Sequence, residues 1–279
     1  MIKRYITQRK SERLMVIGII GAGASGMAAA LSAAENKNVQ VLLFERQARV
    51  GRKLLATGNG RCNLTNLTAG ANDYHGDQPE FAAPALTCYP VKDTLQWFEN
   101  MGLYTVAEPS GRVYPYSDQA NSVVDVLRFA LLSKHGGYWL DATVFFTDDI
   151  PEEFFSGKFH CQRMASDPEK VIREACRGNW CGFSMAGPRD SIVFRFMSDA
   201  FSRWWSHYDT IIDYVLIDYM LWTGFKLVPA IHETIDAVPD NNEDIFAMYQ
   251  VLNRPYTPEL LAQLTRRNVM HKLTYKMDL

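Results

Sequence analysis

The stretch YSDQANSVVDVLRFALLSKHGGYWLDATVFFT, residues 116–147, decides the fold because it predicts a helix, a turn and a strand in direct succession. We call this stretch the seam. Asp125, Arg128 and Lys134 are expected to point outward or toward a site, and Gly136 and Gly137 should end the helix. The apolar residues, which recur at helical spacing and can pack on a sheet, are Val123, Val124, Leu127, Ala130 and Leu131.

The strand predicted after this turn covers residues 138–147 and is rich in aromatic and β-branched residues, as buried strands are. Asp141 lies in the middle of it. Burying a carboxylate without a partner is costly. Asp141 therefore needs backbone donors or a nearby arginine, or it faces a metal ion held by a diphosphate. The residues alone leave both interpretations open.

The composition indicates a globular protein. A chain of 279 residues can bury one large core or two modest ones. Its 47% hydrophobic and 22% charged residues argue against wholesale disorder. The formal net charge of −2 gives no reason to expect a nucleic-acid partner. The five cysteines form no CxxC pair, which favours a reducing, cytoplasmic compartment over a disulfide framework or structural zinc.

The N-terminal segment is basic and then apolar, which is how a signal peptide or membrane anchor begins. The apolar run, residues 14–34, is however interrupted by four glycines and followed closely by a second apolar segment. We therefore expect a nucleotide-binding fold here rather than an anchor. The later residues contain no apolar segment that is long enough to predict a membrane span.

A glycine motif, GAGASG at residues 21–26, lies between a predicted buried strand at 14–20 and a predicted helix at 27–35. A second predicted strand ends at Glu45. Gly21, Gly23 and Gly26 allow a tight turn and close approach of backbone to a pyrophosphate at the helix N-terminus. Glu45 lies about 20 residues further on, where a carboxylate accepts ribose hydroxyls. The pattern predicts a dinucleotide site.

Two further motifs, GRKLLATGNGRCNLTN at 51–66 and GRVYPYSDQANSVVDVL at 111–127, resemble those of the BaiN/YhiN-type flavoproteins. These aminoacetone oxidase-like proteins are NAD(P)/FAD-dependent oxidoreductases, and the resemblance covers residues 1 to about 127. It implies that Gly21, Gly23 and Gly26 hold the FAD diphosphate and that Glu45 holds its ribose. The residues that it places along the cofactor toward the flavin are Arg52, Lys53, Thr57, Gly58, Asn59 and Asn63.

Cys62 lies within the first of these motifs and has two interpretations. It could be a redox thiol, but no partner cysteine lies nearby in the sequence. A packed small residue is the favoured interpretation.

Residues about 123 to 279 resemble the capsular polysaccharide synthesis proteins, glycosyltransferases with a DXD sugar-binding motif. The resemblance is carried by residues 127–147, 204–205, 211–219 and 271–276. It places Asp141 at the DXD position, where it helps to bind a manganese or magnesium ion that neutralises the leaving nucleoside diphosphate. The second acid is absent, because the motif reads Asp-Ala-Thr. The resemblance also makes Asp125 and Arg128 contacts for the sugar or phosphate.

Two groups of later residues have competing interpretations. Asp213 and Asp218 could place a catalytic base near the transferred sugar, or they could be solvated or cap helices. The basic tail comprises Arg266, Arg267, His271, Lys272 and Lys276. We expect a solvated face for this tail. Contact with a nucleotide or with membrane phosphates is the alternative, and the latter would allow peripheral association with the inner face of the membrane.

The expected fold is α/β, with an N-terminal Rossmann-like FAD-binding βαβ fragment at residues 1–122. The C-terminal part of a GT-A-like glycosyltransferase, ending in helices, is expected at residues 123–279. Each half is expected to be shorter than its family, as in a gene fusion. A helix should cross the boundary as a continuous hinge.

Three functions are open at this point. The favoured one is glycosyl transfer from a nucleotide sugar to a polysaccharide acceptor in surface polysaccharide synthesis. The second is FAD-dependent oxidoreduction of a small-molecule substrate, in which the flavin carries the chemistry. The third is a catalytically incomplete nucleotide-binding fusion.

Overall fold

The structure is a computed structural model, and it describes residues 15–47, 50–141, 143–167, 169, 171, 174–213, 215–266 and 268–274.

The N-terminal part is a βαβ unit. Strand β1 (Met15–Ile20) leads into helix α1 (Ala24–Ala34), and strand β2 (Val39–Phe44) follows. The two strands are parallel, with Met15 opposite Val39 at one end of the pair. This arrangement is the Rossmann-like unit that the glycine motif predicts.

The prediction that β1 is buried is wrong. Ile20 is 93% exposed and Met15 is 66% exposed. Within the described residues β1 pairs only with β2, and α1 contacts both strands. Val16 and Phe44 add to the exposed apolar surface of this sheet. A strand in a Rossmann sheet becomes buried only when neighbours cover both faces, and the described residues do not provide them here.

A short helix and a three-stranded antiparallel sheet follow the βαβ unit. The strands lie in the order β3, β5, β4. The elements of this region are α2 (Arg52–Ala56), β3 (Thr65–Asn66), α3 (Ala83–Cys88), α4 (Val91–Asn100), β4 (Thr105–Ala107) and β5 (Arg112–Pro115).

Arg61 joins the loop after α2 to this sheet. Its Nε donates to Asp118 at 2.5 Å and its Nη2 donates to Glu108 at 2.8 Å. The guanidinium also lies 3.9 Å from the centre of the Tyr114 ring. One side chain therefore holds the glycine-rich loop, the β-hairpin and the approach to the next helix together.

Helix α5 (Ala120–His135) crosses the predicted boundary at 122/123 without interruption. It ends where the glycines predict, because Gly136 adopts a φ of +67° as its C-cap. A Cβ at Gly136 would lie 2.4 Å from the backbone nitrogen of Arg189. Only glycine fits this turn, so the helix has a fixed end close to the following sheet.

The single strand predicted at 138–147 is wrong, because the chain bends at Asp141. The carbonyl of Asp141 accepts the N–H of Val144 at 3.0 Å in a turn. Strand β6 (Gly137–Leu140) therefore lies in one sheet and β7 (Val144–Phe146) in another. Three later strands join these sheets. Strand β9 (Ser184–Gly187) pairs with β6, β8 (His160–Cys161) pairs with the other edge of β9, and β10 (Met270–Lys272) pairs with β7.

The C-terminal part is mainly helical. The helices with described bounds after residue 190 are α6 (Ile192–His207), α7 (Leu216–Leu227), α8 (Pro229–Asp236) and α9 (Pro258–Thr265). The apolar and aromatic pattern of the sequence predicts consecutive helices at residues 192–207 and 211–223. Helix α6 has the predicted ends, whereas α7 begins and ends later than predicted. A GT-A-like arrangement of this part stays a prediction. None of the helices that the structure describes is long and apolar enough to cross a membrane.

One hydrophobic core includes residues from both halves of the chain. It contains Met27 and Leu31 of α1, Phe129 of α5, and Phe201 and Trp205 of α6. The rings of Phe129 and Phe201 stack with their centroids 5.5 Å apart. Both side chains are fully buried. Residues on the two sides of the 122/123 boundary are therefore packed into the same core.

We predict that Phe201→Ala lowers the free energy of unfolding by about 3–5 kcal/mol, because it removes a buried ring and leaves a cavity against Phe129.

Since the core is shared, far-UV circular dichroism and tryptophan fluorescence should report one common transition in urea. Phe81→Ala is the matched control, since Phe81 is 84% exposed. It should change stability by less than about 0.5 kcal/mol. Two separate transitions in the wild-type protein would contradict the shared core.

Candidate active site at the seam

A cavity of about 410 Å³ lies where the two halves meet. Val50 and Leu55 contribute to its wall from the N-terminal half. The charged residues that line it are Asp125, Arg128, Asp141, Asp213, Asp218 and Lys272. We call this cavity the seam pocket. It brings together the three residues that the sequence proposes as catalytic, Asp125, Arg128 and Asp141.

Arg128 is the most deeply buried charge of the seam pocket, with 7% of the residue exposed. Its Nη2 donates to the carbonyl of Gly182 at 2.5 Å. The guanidinium lies 4.5 Å from the centre of the Trp139 ring. Its Nε is buried and has no hydrogen-bond partner within the described part of the chain. Arg128 is therefore held in position with one donor unsatisfied.

The surroundings of Arg128 have opposing effects on its pKa. Burial lowers the pKa of Arg128 to about 10, and the carboxylates of Asp125, Asp141 and Asp218 counteract that loss. A pKa of about 10 leaves the guanidinium charged at neutral pH. The pocket thus keeps a buried cation next to several acids.

Asp141 is half-buried at the end of β6. Its Oδ1 accepts a hydrogen bond from the indole N–H of Trp139 at 3.2 Å. Its backbone N–H donates to the carbonyl of Phe183 at 2.9 Å, which fixes the bend. Trp139 therefore contacts both Asp141 and Arg128. The sequence analysis does not include Trp139, although residues i and i+2 of a strand lie on the same face and could have identified it.

The prediction of a solvated basic tail is wrong for two of its residues. His271 is fully buried. Lys272 is half-buried and its ammonium donates to the hydroxyl of Thr143. Burial lowers the pKa of Lys272, while Asp141 counteracts this effect. Pairing of β10 with β7 brings Lys272 into the pocket from a distant part of the sequence. Arg267 and Lys276, also in this tail, lie outside the described residues.

Asp213 and Asp218 both line the pocket but differ in environment. The exposed Asp213 accepts the backbone N–H of Val215 at 3.3 Å, just before α7 begins. Asp218 accepts the indole N–H of Trp180 at 2.8 Å. Burial raises the pKa of Asp218. Asp213 therefore supports the start of α7, whereas Asp218 is an oriented acid inside the site.

The protein groups in the seam pocket do not fit a resident divalent cation. No group of three His, Cys, Asp or Glu side chains suited to a metal ion occurs among the residues that the structure describes. A Mg²⁺ ion on a nucleotide is held by one or two protein carboxylates together with phosphates and water. Here the third position of the motif is Thr143, and its hydroxyl accepts a hydrogen bond from the Lys272 ammonium, a cation that would repel a metal ion. The geometry therefore gives no support to the predicted metal at Asp141.

The glycine motif forms a separate, open cradle. A Cβ built on Gly21 or Gly23 would meet no atom within 4 Å. One on Gly26 would lie 1.7 Å from the carbonyl oxygen of Gly21. Gly26 is thus required for close packing of α1 on the turn, and the other two glycines leave space beside the N-terminus of α1. These features fit the diphosphate of a dinucleotide.

Glu45 closes the other side of this cradle. Its carboxylate accepts the N–H of Gln47 at 2.7 Å and the N–H of Ala22 at 2.8 Å. The bond from Gln47 and then the bond from Ala22 lower the pKa of Glu45, against the effect of burial. Glu45 is therefore ionised at neutral pH and ties the end of β2 to the glycine loop. Each carboxylate oxygen can accept a further hydrogen bond from a ribose hydroxyl.

The residues predicted to face the flavin lie on the loop around α2, and none of them lines the seam pocket. Gly58 has a φ of +58°, and a Cβ there would lie 2.8 Å from the Tyr114 ring. Arg52 donates to Gln47, and Thr57 donates to the carbonyl of Leu54. The side chains that are exposed rather than enclosed are those of Arg52, Lys53, Thr57, Asn59 and Asn63.

Cys62 behaves as the favoured interpretation predicts. It is 3% exposed, and burial raises the pKa of its thiol although a hydrogen bond with Thr57 counteracts this. A raised pKa leaves little thiolate, which is the reactive form. Cys62 is a packed residue.

Comparison with known families separates the chain into two overlapping regions. Residues 15–166 match the family described as "HI0933-like protein Rossmann domain". Residues 118–279 match the family described as "Capsular polysaccharide synthesis protein". The two matches overlap at 118–166, which contains α5 and both strands around Asp141.

Curated relatives match part of the chain only. A 3-dehydro-bile acid delta(4,6)-reductase from Clostridium scindens is 48% identical over 116 residues, which is 41% of this chain and 28% of the relative. Ribosomal RNA dihydrouridine synthases from Escherichia coli and Haemophilus influenzae are 34% and 32% identical, each over 39% of this chain and 27% of the relative. The chain thus spans less than a third of the length of these relatives.

The two family matches correspond to the two parts that the sequence resembles, a flavoprotein-type part and a capsule-synthesis part, and the matches overlap within the seam. The chain belongs to the HI0933-like Rossmann-domain family through residues 15–166 and to the capsular polysaccharide synthesis protein family through residues 118–279.

Proposed function

We propose that the seam pocket binds a nucleotide sugar and transfers its glycosyl group to a polysaccharide acceptor in surface polysaccharide synthesis. The observation that carries this proposal is the set of charges in the pocket, two cations beside four carboxylates. Cations bind the negatively charged diphosphate that leaves. Carboxylates accept hydrogen bonds from sugar hydroxyls and can remove a proton from the acceptor hydroxyl. The match of residues 118–279 to the capsular polysaccharide synthesis family supports this proposal.

In the proposed reaction the bond between the anomeric carbon of the sugar and the diphosphate oxygen breaks. A bond forms between that carbon and an acceptor hydroxyl, whose proton passes to a carboxylate. The diphosphate leaves with the bonding electron pair, so its negative charge increases and nearby cations lower the barrier. Arg128 and Lys272 supply these cations.

Asp218 is the carboxylate that we assign as the base. Burial raises its pKa, which makes it a stronger proton acceptor. Its hydrogen bond with Trp180 fixes the orientation of the carboxylate. Asp125 and Asp141 then accept hydrogen bonds from hydroxyls of the donor sugar. The reaction as proposed does not include the metal predicted at Asp141, since the protein donors do not fit one.

We predict that Asp141→Asn lowers kcat/KM for nucleotide release from a sugar nucleotide by roughly 10- to 100-fold, because hydrogen bonds to a charged acceptor contribute about 1.5–3 kcal/mol. The assay measures release of UDP or GDP from UDP-glucose, UDP-galactose and GDP-mannose, with water or a monosaccharide as acceptor. Asp148→Asn is the control, since Asp148 is exposed and outside the pocket. Equal rates for wild type and both variants would contradict the assignment of Asp141.

A second function, FAD binding at the glycine cradle, has its own supporting observation, the open space beside Gly21 and Gly23. Bound there, FAD would supply hydride chemistry, and the reductase relative supports such a cofactor. Residues of this chain would hold the diphosphate at the N-terminus of α1 and the ribose at Glu45. The exposed loop side chains leave the flavin ring only partly covered, so we propose binding without assigning a redox substrate.

We predict that Gly23→Val abolishes stabilisation by FAD, because the added side chain occupies the space for the diphosphate. With FAD at 100 times its dissociation constant, the wild-type protein should gain about 2.7 kcal/mol of stability. Differential scanning fluorimetry with and without FAD measures this difference. Gly23→Val should retain nucleotide release at the seam pocket, and Asp141→Asn should retain FAD binding. If neither variant changes either property, both site assignments are wrong. If the wild-type protein shows neither property, a catalytically incomplete fusion is the better account.

A further inference from the structure

We propose that the seam pocket binds the diphosphate of its nucleotide through Arg128 and Lys272, without a divalent cation. This inference rests on the proposed function and specifies how the same site recognises its substrate. It also departs from the metal that the DXD resemblance implies. Three features of the described structure carry it.

The first feature is the unsatisfied donor of Arg128. The guanidinium is nine-tenths buried and lines the pocket. The Gly182 carbonyl and the Trp139 ring hold it in place, while its Nε has no partner within the described residues. A buried donor without a partner destabilises the folded chain. A phosphate oxygen is the anionic acceptor that a guanidinium binds best.

The second feature is the position of Lys272 relative to the DXD-like motif. In a strict motif the third residue would be an acid, and here it is Thr143. The hydroxyl of Thr143 accepts a hydrogen bond from the Lys272 ammonium. The same ammonium interacts electrostatically with Asp141, the first residue of the motif. A lysine thus binds Thr143 and acts electrostatically on Asp141, the two residues that would otherwise share a metal ion.

The third feature is the charge balance. Arg128 and Lys272 together carry two positive charges, the same total as one divalent cation. They approach from different elements, α5 and β10. Four carboxylates also line the pocket, but Asp213 is exposed and screened by water. The Asp218 carboxylate already accepts the indole N–H of Trp180. The two remaining acids of the pocket are Asp125 and Asp141, and these are the groups assigned to the sugar.

The test is isothermal titration of the full-length chain with UDP and, separately, with GDP, in EDTA and in manganese. We expect the dissociation constant of the bound nucleotide to agree within about twofold between the two buffers. Arg128→Gln and Lys272→Gln should each weaken binding in EDTA by roughly 10-fold or more, since each removes a charge-assisted hydrogen bond. The matched controls are Arg203→Gln and Lys134→Gln, which alter exposed residues outside the pocket.

Arg128 is buried, so circular dichroism and thermal unfolding must show that its variant is folded. If Arg128→Gln does not fold, Lys272→Gln provides the same test with a half-buried residue. Binding that requires manganese would overturn this inference and leave the proposed function intact. Binding in EDTA that neither variant weakens would also overturn it. Binding that only Gly23→Val abolishes would overturn the proposed function as well, because the nucleotide would then lie at the glycine cradle. Failure of UDP and GDP to bind in either buffer would overturn the proposed function itself.

Discussion

The stacking of Phe129 on Phe201 is the contact on which the rest of the structure depends. It holds α5 against α6, and α5 lies entirely within the residues that both family matches cover. The residue before Phe129 is Arg128, so the packing that buries the phenyl ring also sets the position of the guanidinium. A helix that is shared by two sequence families therefore serves both as core and as one wall of a site.

Burying the charged guanidinium of Arg128 in the pocket wall costs free energy, and its neighbours offset part of that cost. A carbonyl, an aromatic ring and three carboxylates stabilise the guanidinium, yet its Nε keeps no partner in the described part of the chain. Removing one partner from such a network is expensive, because it leaves the remaining charge uncompensated. The unpaired Nε of Arg128 favours a ligand that brings an acceptor oxygen, against the repulsion of the four carboxylates that line the seam pocket.

Local patterns in the sequence predict much of this structure. The spacing of glycines predicts the βαβ turn, helical periodicity predicts α5 and α6, and Gly136 predicts the end of α5. The sequence does not predict the bend at Asp141 or the entry of Lys272 into the site. The bend depends on pairing of β6 and β7 with strands far away in the chain, and Lys272 reaches Asp141 through one of those pairings. The prediction that β1 is buried fails for the same reason. Burial of a strand depends on neighbouring strands and not only on its own apolar residues.

The most direct test of this account is a crystal structure of the full-length chain grown with both UDP and FAD. The central claim is that the seam pocket, and not the glycine cradle, is the site of the sugar nucleotide. We predict electron density for the UDP diphosphate in contact with Arg128 and Lys272, with FAD at Gly21 and Gly23. A UDP diphosphate at the glycine cradle, with the seam pocket empty, would contradict the claim.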